Sequence, residues 1–432
     1  MTASIGVITL NDCNLTLTVK GQSAIAASSG FATLDKKHVL FGEQAQQQAH
    51  LQPRVSFNQY WNQLSLDPIS NGSAKFRHTA DFAYQQLLEL HQQVKHCEQI
   101  IFCVPASFSR EQLALLLGIC QQCSFKVVGL IDSALAAISD KVNNGKHLYL
   151  DIQLHQCLLS EISVDGQVKT GESDIITGTG LVSLYQHWAK YLTGQFIQQC
   201  RFDPMHDAAT EQQLYDILPQ LLNPTDDELS LTLQNKQIKL NRQSLMRHTL
   251  GLFDPVLAAI SHTQSQGNLF ISERVASIPE LSSRLSHAIV VPDDAMAKNS
   301  FEQQSHICHD NTQLSLINRL PVSDSSAQGA GFKQRLSHLL WQNNAYPITA
   351  KTIYISTTAS GIEISQDSKV QADYALQPAA NSLTLSLLNN GPLMINGEKA
   401  RDGTTLNCGD KLGFSHSDES LNLINVLEDK NW

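Results

Sequence analysis

The side chains best able to do chemistry are thiols, imidazoles and dispersed carboxylates, and their spacing limits what they can do. Cys120 and Cys123 form a C-x-x-C pair. A zinc site built on such a pair needs two more Cys or His ligands at short spacing, and none follows. Cys308 lies between His306 and His309, again with no fourth ligand nearby. Both sets read as ordinary thiols, buried or incidental. The 16 histidines, among them His38, His50, His78, His91, His96, His147, His155 and His187, are scattered rather than clustered. No G-x-S-x-G elbow, H-E-x-x-H or Walker A stretch is present. Thr177-Gly-Thr-Gly180 is a short Gly-rich loop of the kind that lets backbone N–H groups approach phosphate, with an ordinary turn as the alternative. The segment Arg201–Tyr215 is distinctive but forms no known site. Its Phe202-Asp-Pro fits an ordered turn, and Thr210 is placed to cap a helix beginning at Glu211.

The elements that must carry these residues follow from periodicity. Strands are expected at Ser4–Leu10, Leu15–Val19, Ile100–Val104, Val127–Ile131, His147–Asp151, Leu158–Val164 and Leu269–Ile271. Helices are expected at Ser109–Gln122, capped by Ser109, and at Ser133–Ile138, Asn241–Ser261 and Pro279–Leu285, with most of Ser183–Leu222 helical as well. This alternation is that of a repeated α/β fold. Ser323–Gly331 reads as a linker. Beyond Ile348 the pattern changes to short strands: Ile353–Ser356, Gly361–Ile364, Leu383–Leu388, Leu393–Ile395, Lys411–Phe414 and Leu421–Val426.

Bulk properties exclude several functions. The 432 residues are 42% hydrophobic but only 16% charged, with a net charge of -10. No basic stripe suits a phosphate backbone, so no nucleic-acid partner is expected. No apolar run approaches the roughly 20 residues that span a bilayer. The first residues lack a basic, cleavable leader, and the nine cysteines follow no framework spacing. A reduced, cytoplasmic compartment is the expectation.

Five segments, the last a pair of short motifs, resemble in order the ATPase domain of the DnaK-type heat-shock chaperones, a branch of the actin-like superfamily. Gly42, Ala45, Ala49 and Pro53 match a G-x-x-A-x-x-x-A-x-x-x-P stretch, and Val104 to Gln112 is similar to V-P-A-x-F-x-x-x-Q. Asp132 to Ile138 stands where the family has E-P-T-A-A-A-L, and Leu240-Asn-Arg242 resembles the start of its T-R-x-x-F-E helix. Ala276 to Pro279 and Pro292 to Ala297 are similar to S-x-I-P and P-D-E-A-V-A. The resemblance implies an α/β, two-lobed actin-like ATPase fold with duplicated ribonuclease H-like lobes over residues 1–305. Lobe I would span about 1–145 and 286–305, and lobe II about 146–285, each on a five-stranded mixed sheet. A linker, 306–347, would lead to a small all-β C-terminal domain, 348–432.

The family's chemistry is where the chain departs. Ile8 and Leu10 replace the Asp and Gly of the first phosphate loop, though a shift of the loop would bring Asp12 into the acidic role. The catalytic Lys falls at Trp61. In the second loop Asp151 persists, but Gln153, Leu154 and His155 replace glycines, whose lack of a side chain gave the phosphates room. Glu273 and Arg274 replace the glycines of the adenosine motif and could pair with each other. The implied vestigial nucleotide cleft therefore comprises Asp12, Asp151, Gly178, Gly180, Glu273 and Arg274. Asp132 and Asp151 are the residual acids that could hold a metal-bound water, with capping or hydrogen bonding at strand ends as the preferred role for both. No catalytic residue, metal or cofactor is expected, ATP with magnesium being the alternative. The bulky replacements are expected to fill the cleft.

The C-terminal stretch Asn396-Gly397 followed by Gly409-Asp410 and Gly413 resembles the second half of a forkhead-associated domain. The phosphothreonine-reading G-R turn and S-x-x-H loop of that family are not found between Ile348 and Asn390. A β sandwich that is structural or docks a protein is the expectation. The whole reads as a pseudo-ATPase scaffold, adaptor or assembly factor with protein partners, in a bacterial-type cytoplasm. The alternatives are a divergent chaperone that still binds ATP, or a sugar-kinase-like enzyme of the same superfold.

Overall fold

The computed structural model describes residues 4–22, 25–35, 38–94, 97–222, 227–263, 267–308, 314–322, 338–341, 344–348, 351–358, 361–366, 372–378, 383–389, 393–396, 398–406, 410–414 and 420–424. The chain is mixed α/β and divides into two compact units, residues 1–327 and 328–432. Among the described residues no helix is long and apolar enough to cross a membrane.

Among the described residues the first unit holds two six-stranded sheets whose first five strands share one order, the sixth joining at opposite edges. In the first sheet, Ile5–Thr9, Leu15–Val19 and Ile25–Ser28 form an antiparallel meander. Gln99–Val104 then adds parallel to Ile5–Thr9, and Lys126–Asp132 adds parallel to Gln99–Val104. In the second sheet, Gly145–Ile152, Gln156–Val164 and Gln167–Thr177 form the meander. Leu269–Ser272 adds parallel to Gly145–Ile152, and Ile289–Val291 adds parallel to Leu269–Ser272. The order 3-2-1-4-5 thus occurs twice, and the helical crossovers demanded by parallel neighbours explain the alternation seen in the sequence.

The central strands are buried on both faces, which is why they read as near-continuous apolar runs. Ile8, Ile100 and Phe102 face an outer core with the helix Thr79–Gln92. Val7, Ile101 and Cys103 face a middle core shared with Tyr149, Ile162 and Phe270 of the second sheet. Leu148, Leu150 and Ile152 face the second outer core, filled by Trp188, Leu192 and Phe196 of the helix Leu181–Cys200. The middle core is laid down by two helices, Ser133–Ile138, wholly buried, and Ala295–Glu302. Asn299 ties them together, its Nδ2 donating to the Ala136 carbonyl at 2.8 Å and to Asp140 Oδ1 at 2.7 Å. Ser109 caps Arg110–Cys120 as its spacing predicts, in a reciprocal box with Gln112.

Several expectations need correction. Each sheet has a sixth strand, and both come from the segment expected to be linker. Leu316–Ile317 pairs with Lys126–Asp132, and Arg319–Pro321 pairs with Gln167–Thr177. Two-residue and three-residue edge strands carry too little periodicity to be read from sequence. Ile289–Val291, assigned with the first lobe, belongs to the second sheet. The single helix expected over Asn241–Ser261 is three pieces, Arg242–Arg247, a 3-10 turn at Leu250–Phe253, and Asp254–His262. Pro255 sits in the first turn of the last piece, where its missing N–H is tolerated; within a continuous helix it would break the ladder. The helix beginning near Glu211 starts at Ala208, capped by Asp207 rather than Thr210. Ser323–Gly331 lies outside the described residues, as do Gly397 and Gly409.

Among its described residues the second unit is all β. Its strands start at His338, ten residues before the expected boundary of 348, and form two antiparallel sheets of six and five strands. One core draws on both sheets, including Leu339, Leu412, Leu421 and Leu423 from one and Ile355, Leu376 and Leu385 from the other. Because the two units have separate cores, damage to one should not transmit to the other. Leu385→Ala is expected to cost about 2–5 kcal/mol. In differential scanning calorimetry it should lower the transition of the β unit and leave that of the α/β unit in place.

Candidate functional site

The two meanders of the first unit bring two hairpin turns together at the floor of a cleft. The first turn, between Ile5–Thr9 and Leu15–Val19, carries Asn11, Asp12 and Cys13. The second, between Gly145–Ile152 and Gln156–Val164, carries Gln153, Leu154 and His155. Asn11 shapes its own turn, its Oδ1 accepting from the Cys13 N–H at 2.9 Å. Its Nδ2 crosses to the other turn and donates to Asp151 Oδ2 at 2.9 Å and to the Ile152 carbonyl at 3.0 Å. Asp12 Oδ1 accepts from the Leu154 N–H at 2.7 Å. His155 Nε2 lies 2.9 Å from the Asn58 carbonyl oxygen, to which it donates in the tautomer protonated there. Burial holds the His155 pKa below its ordinary value, favouring that neutral form.

The residues expected to bind nucleotide are brought together, but their bonding capacity is used within the protein. Gly178 N–H donates to the His155 carbonyl at 2.9 Å. Gly180 is a site of close approach, since a Cβ there would fall within 2.4–2.5 Å of the backbone of Leu154, His155 and Gln156. The helix Leu181–Cys200 has no side-chain cap. Its first N–H groups, from Leu181 and Val182, donate instead to the carbonyls of Gln153 at 3.1 Å and Leu154 at 2.9 Å. A helix N-terminus attracts an anion through such free N–H groups, and here the opposing hairpin takes them.

Arg274 stands on the short helix Glu273–Ala276 and does not pair with Glu273. Its guanidinium lies 3.6 Å from Asp151 Oδ2 and 3.3 Å from Asp293 Oδ1. Glu273 is exposed and accepts from the Asp293 N–H at 3.2 Å. Glu273 therefore stays at the surface, whereas Leu10, Gln153 and Leu154 are buried. Trp61 turns into the outer core, its Nε1 donating to Gln86 Oε1 at 2.7 Å. The Gln86 amide, wholly buried, is completed by Tyr60, Ser28 and Ser29. The space left among Leu10, Asp12, Trp61 and Gln153 is about 10 Å³, and that between Asn11, Ser133 and Asp151 is also about 10 Å³. Each has room for roughly one water.

Asp132 is the N-cap of Ser133–Ile138, accepting from the Leu135 N–H at 3.0 Å. Asp151 receives Asn11, its own neighbour Ile152 and Arg274. Asp132 thus caps a helix, and Asp151 hydrogen-bonds and pairs at a strand end. Among the described residues no group of three or more His, Cys, Asp or Glu could hold a metal ion. Cys120 and Cys123 are free thiols, Cys123 Sγ donating to the Ile119 carbonyl at 3.7 Å, and His309 lies outside the described residues.

A second set of contacts closes the cleft above the floor, and only part of it was visible in the sequence. The G-x-x-A segment leads into His50, whose ring stacks on Tyr215 with centroids 3.7 Å apart. His50 Nδ1 lies 2.9 Å from Glu211 Oε1, and its backbone N–H donates to Gln212 Oε1 at 2.8 Å. Gln212 Nε2 returns a bond to the Gln46 carbonyl at 3.0 Å. Glu211, Gln212 and Tyr215 belong to the distinctive Arg201–Tyr215 segment, whose spacing puts all three on one helix face. No signal in the sequence pairs that face with His50.

The chain matches no protein-family model and no curated protein.

Burial pushes the Asp12 pKa up to about 7, against the pull of the Leu154 N–H, and the nearby Asp151 charge adds to the rise. Burial likewise pushes Asp132 up to about 6. For both, the folded state holds its proton more tightly than the unfolded chain. Their contribution to stability is therefore full below pH about 4 and is lost as pH rises through about 6 to 7. Asp12→Asn keeps an acceptor for Leu154 and removes the charge. It should raise the melting temperature at pH 8, have little effect at pH 5, and flatten the pH dependence between, as thermal denaturation across that range would show.

Proposed function

We propose that the α/β unit is a DnaK- and actin-like pseudo-ATPase that serves as a protein-binding scaffold or assembly factor. The repeated 3-2-1-4-5 strand order supports the superfamily reading, because it is the duplication that the five matched segments imply. The observation that carries the loss of ATP chemistry is the use of the Leu181–Cys200 helix start by the Gln153 and Leu154 carbonyls. A phosphate at that place would have to displace two backbone hydrogen bonds and the packed hairpin beneath them. The Lys position is filled by Trp61, bonded into the core, and the remaining acids are occupied as a cap and as the partner of Arg274. Phosphoryl transfer depends on positioned cations and donors, which this arrangement does not offer.

A cleft closed by its own side chains presents a fixed surface rather than one that changes with a nucleotide. That favours a constitutive binding role. The all-β unit, read as forkhead-associated-like, suits the same role as a docking module, and its Asn396 supports the expected turn chemistry. Asn396 has a left-handed φ of 52°, donates to Asp410 and accepts from the Lys411 N–H.

Titration calorimetry with ATP and magnesium is expected to give no saturable heat at millimolar nucleotide, and phosphate release should not exceed the buffer rate. Turnover that disappears in Asp151→Asn would overturn the pseudo-ATPase reading in favour of a working, divergent chaperone or kinase.

A further inference from the structure

Above the floor, the cleft holds a cavity of about 230 Å³. Its walls come from both sides of the cleft. Phe31 and Phe57 belong to the segment inserted between the third and fourth strands of the first sheet, and Tyr185 and Tyr215 to two helices inserted at the equivalent point of the second. All four rings are half-buried, and Tyr215 already stacks one face on His50, which also lines the cavity. Asp216 stands at the rim, exposed, with its Oδ1 accepting from Gln212 Nε2 at 2.8 Å. That bond fixes the carboxylate beside the cavity. Glu211, on the same helix, is already engaged by His50. No Lys or Arg lines the cavity.

We propose that this cavity receives the side chain of an arginine from a basic segment of a protein partner. A planar cation is attracted to aromatic faces through the ring quadrupole and gains more where water is reduced. A carboxylate at the rim takes the outward N–H groups of the guanidinium fork. The cavity is smaller than the usual range of about 300–1,000 Å³ for drug-sized ligands, so one side chain suits it better than a nucleoside. The net charge of -10 favours a basic partner by long-range attraction. The occupant would touch both sides of the cleft and reinforce its closed form. This inference rests on the scaffold reading, since it names the chemistry of the partner.

The test uses the full chain and N-acetylarginine methylamide as probe, followed by NMR or calorimetry, with the uncharged citrulline analogue and adenosine as comparisons. The arginine probe is expected to bind saturably at about millimolar concentration. Citrulline should bind about tenfold more weakly, and Asp216→Asn should weaken the arginine probe about five- to tenfold. Asp174→Asn, an exposed charge removed on the strand Gln167–Thr177, should leave binding unchanged. The proposal falls if citrulline binds as well as arginine, if Asp216→Asn has no more effect than Asp174→Asn, or if the probe shows no saturation by about 50 mM. It also falls if adenosine binds and displaces the probe, which would favour a nucleotide site. Failure of the arginine probe alone would leave the pseudo-ATPase reading standing, because that reading is decided by the titration with ATP and magnesium.

Discussion

Two hairpin turns meet tip to tip inside the α/β unit, and the rest of the cleft is organised by their need for hydrogen-bond partners. A turn leaves backbone groups unpaired, and burying them without partners costs about 1–3 kcal/mol each. Asn11 and Asp12 supply one side of the solution and the backbone of Ile152 and Leu154 the other. The carbonyls of Gln153 and Leu154, turned the other way, accept from the start of the Leu181–Cys200 helix. The second hairpin is thus held from both sides. Glycine at position 180 is a consequence, because the helix start could not approach the hairpin so closely with a Cβ present.

Charge follows the same logic. Arg274, set between Asp151 and Asp293, balances a carboxylate that the fold keeps under cover. Breaking such a pair leaves a buried charge without compensation, which is far more costly than the pair is worth. Asp12 has no cation of comparable closeness and is driven toward its neutral form instead. The floor of the cleft therefore brings together a paired acid, Asp151, on one hairpin and a protonatable acid, Asp12, on the other. Leu10 and Leu154 add apolar burial, worth roughly 1.5–3 kcal/mol for each enclosed side chain. Together these terms hold the two turns against each other.

The closed cleft also depends on the layers around it. Three cores are separated by two sheets, and the middle one touches both. Ser133–Ile138 occupies that middle layer, and the acid that starts it, Asp132, caps it. Displacing the hairpins would disturb strands that are packed on both faces, so the cleft and the cores resist opening together.

The sequence by itself determined the α/β character of the first unit, the β character of the second and most central strands. Those rest on local periodicity, on capping residues such as Ser109 and on turn residues such as Asn396. It also singled out Asp151 and Arg274, which the fold brings together. Only the tertiary structure decided what those residues do. Arg274 chose Asp151 and Asp293 over its neighbour Glu273 because the second hairpin, some 120 residues earlier in the chain, brings Asp151 within reach. Asn11 gave no sign of its role, since an Asn in a turn is ordinary and its partners lie 140 residues away. The edge strands at Leu316–Ile317 and Arg319–Pro321 were illegible for the same reason: two or three residues carry no period, and only the sheet that receives them makes them strands.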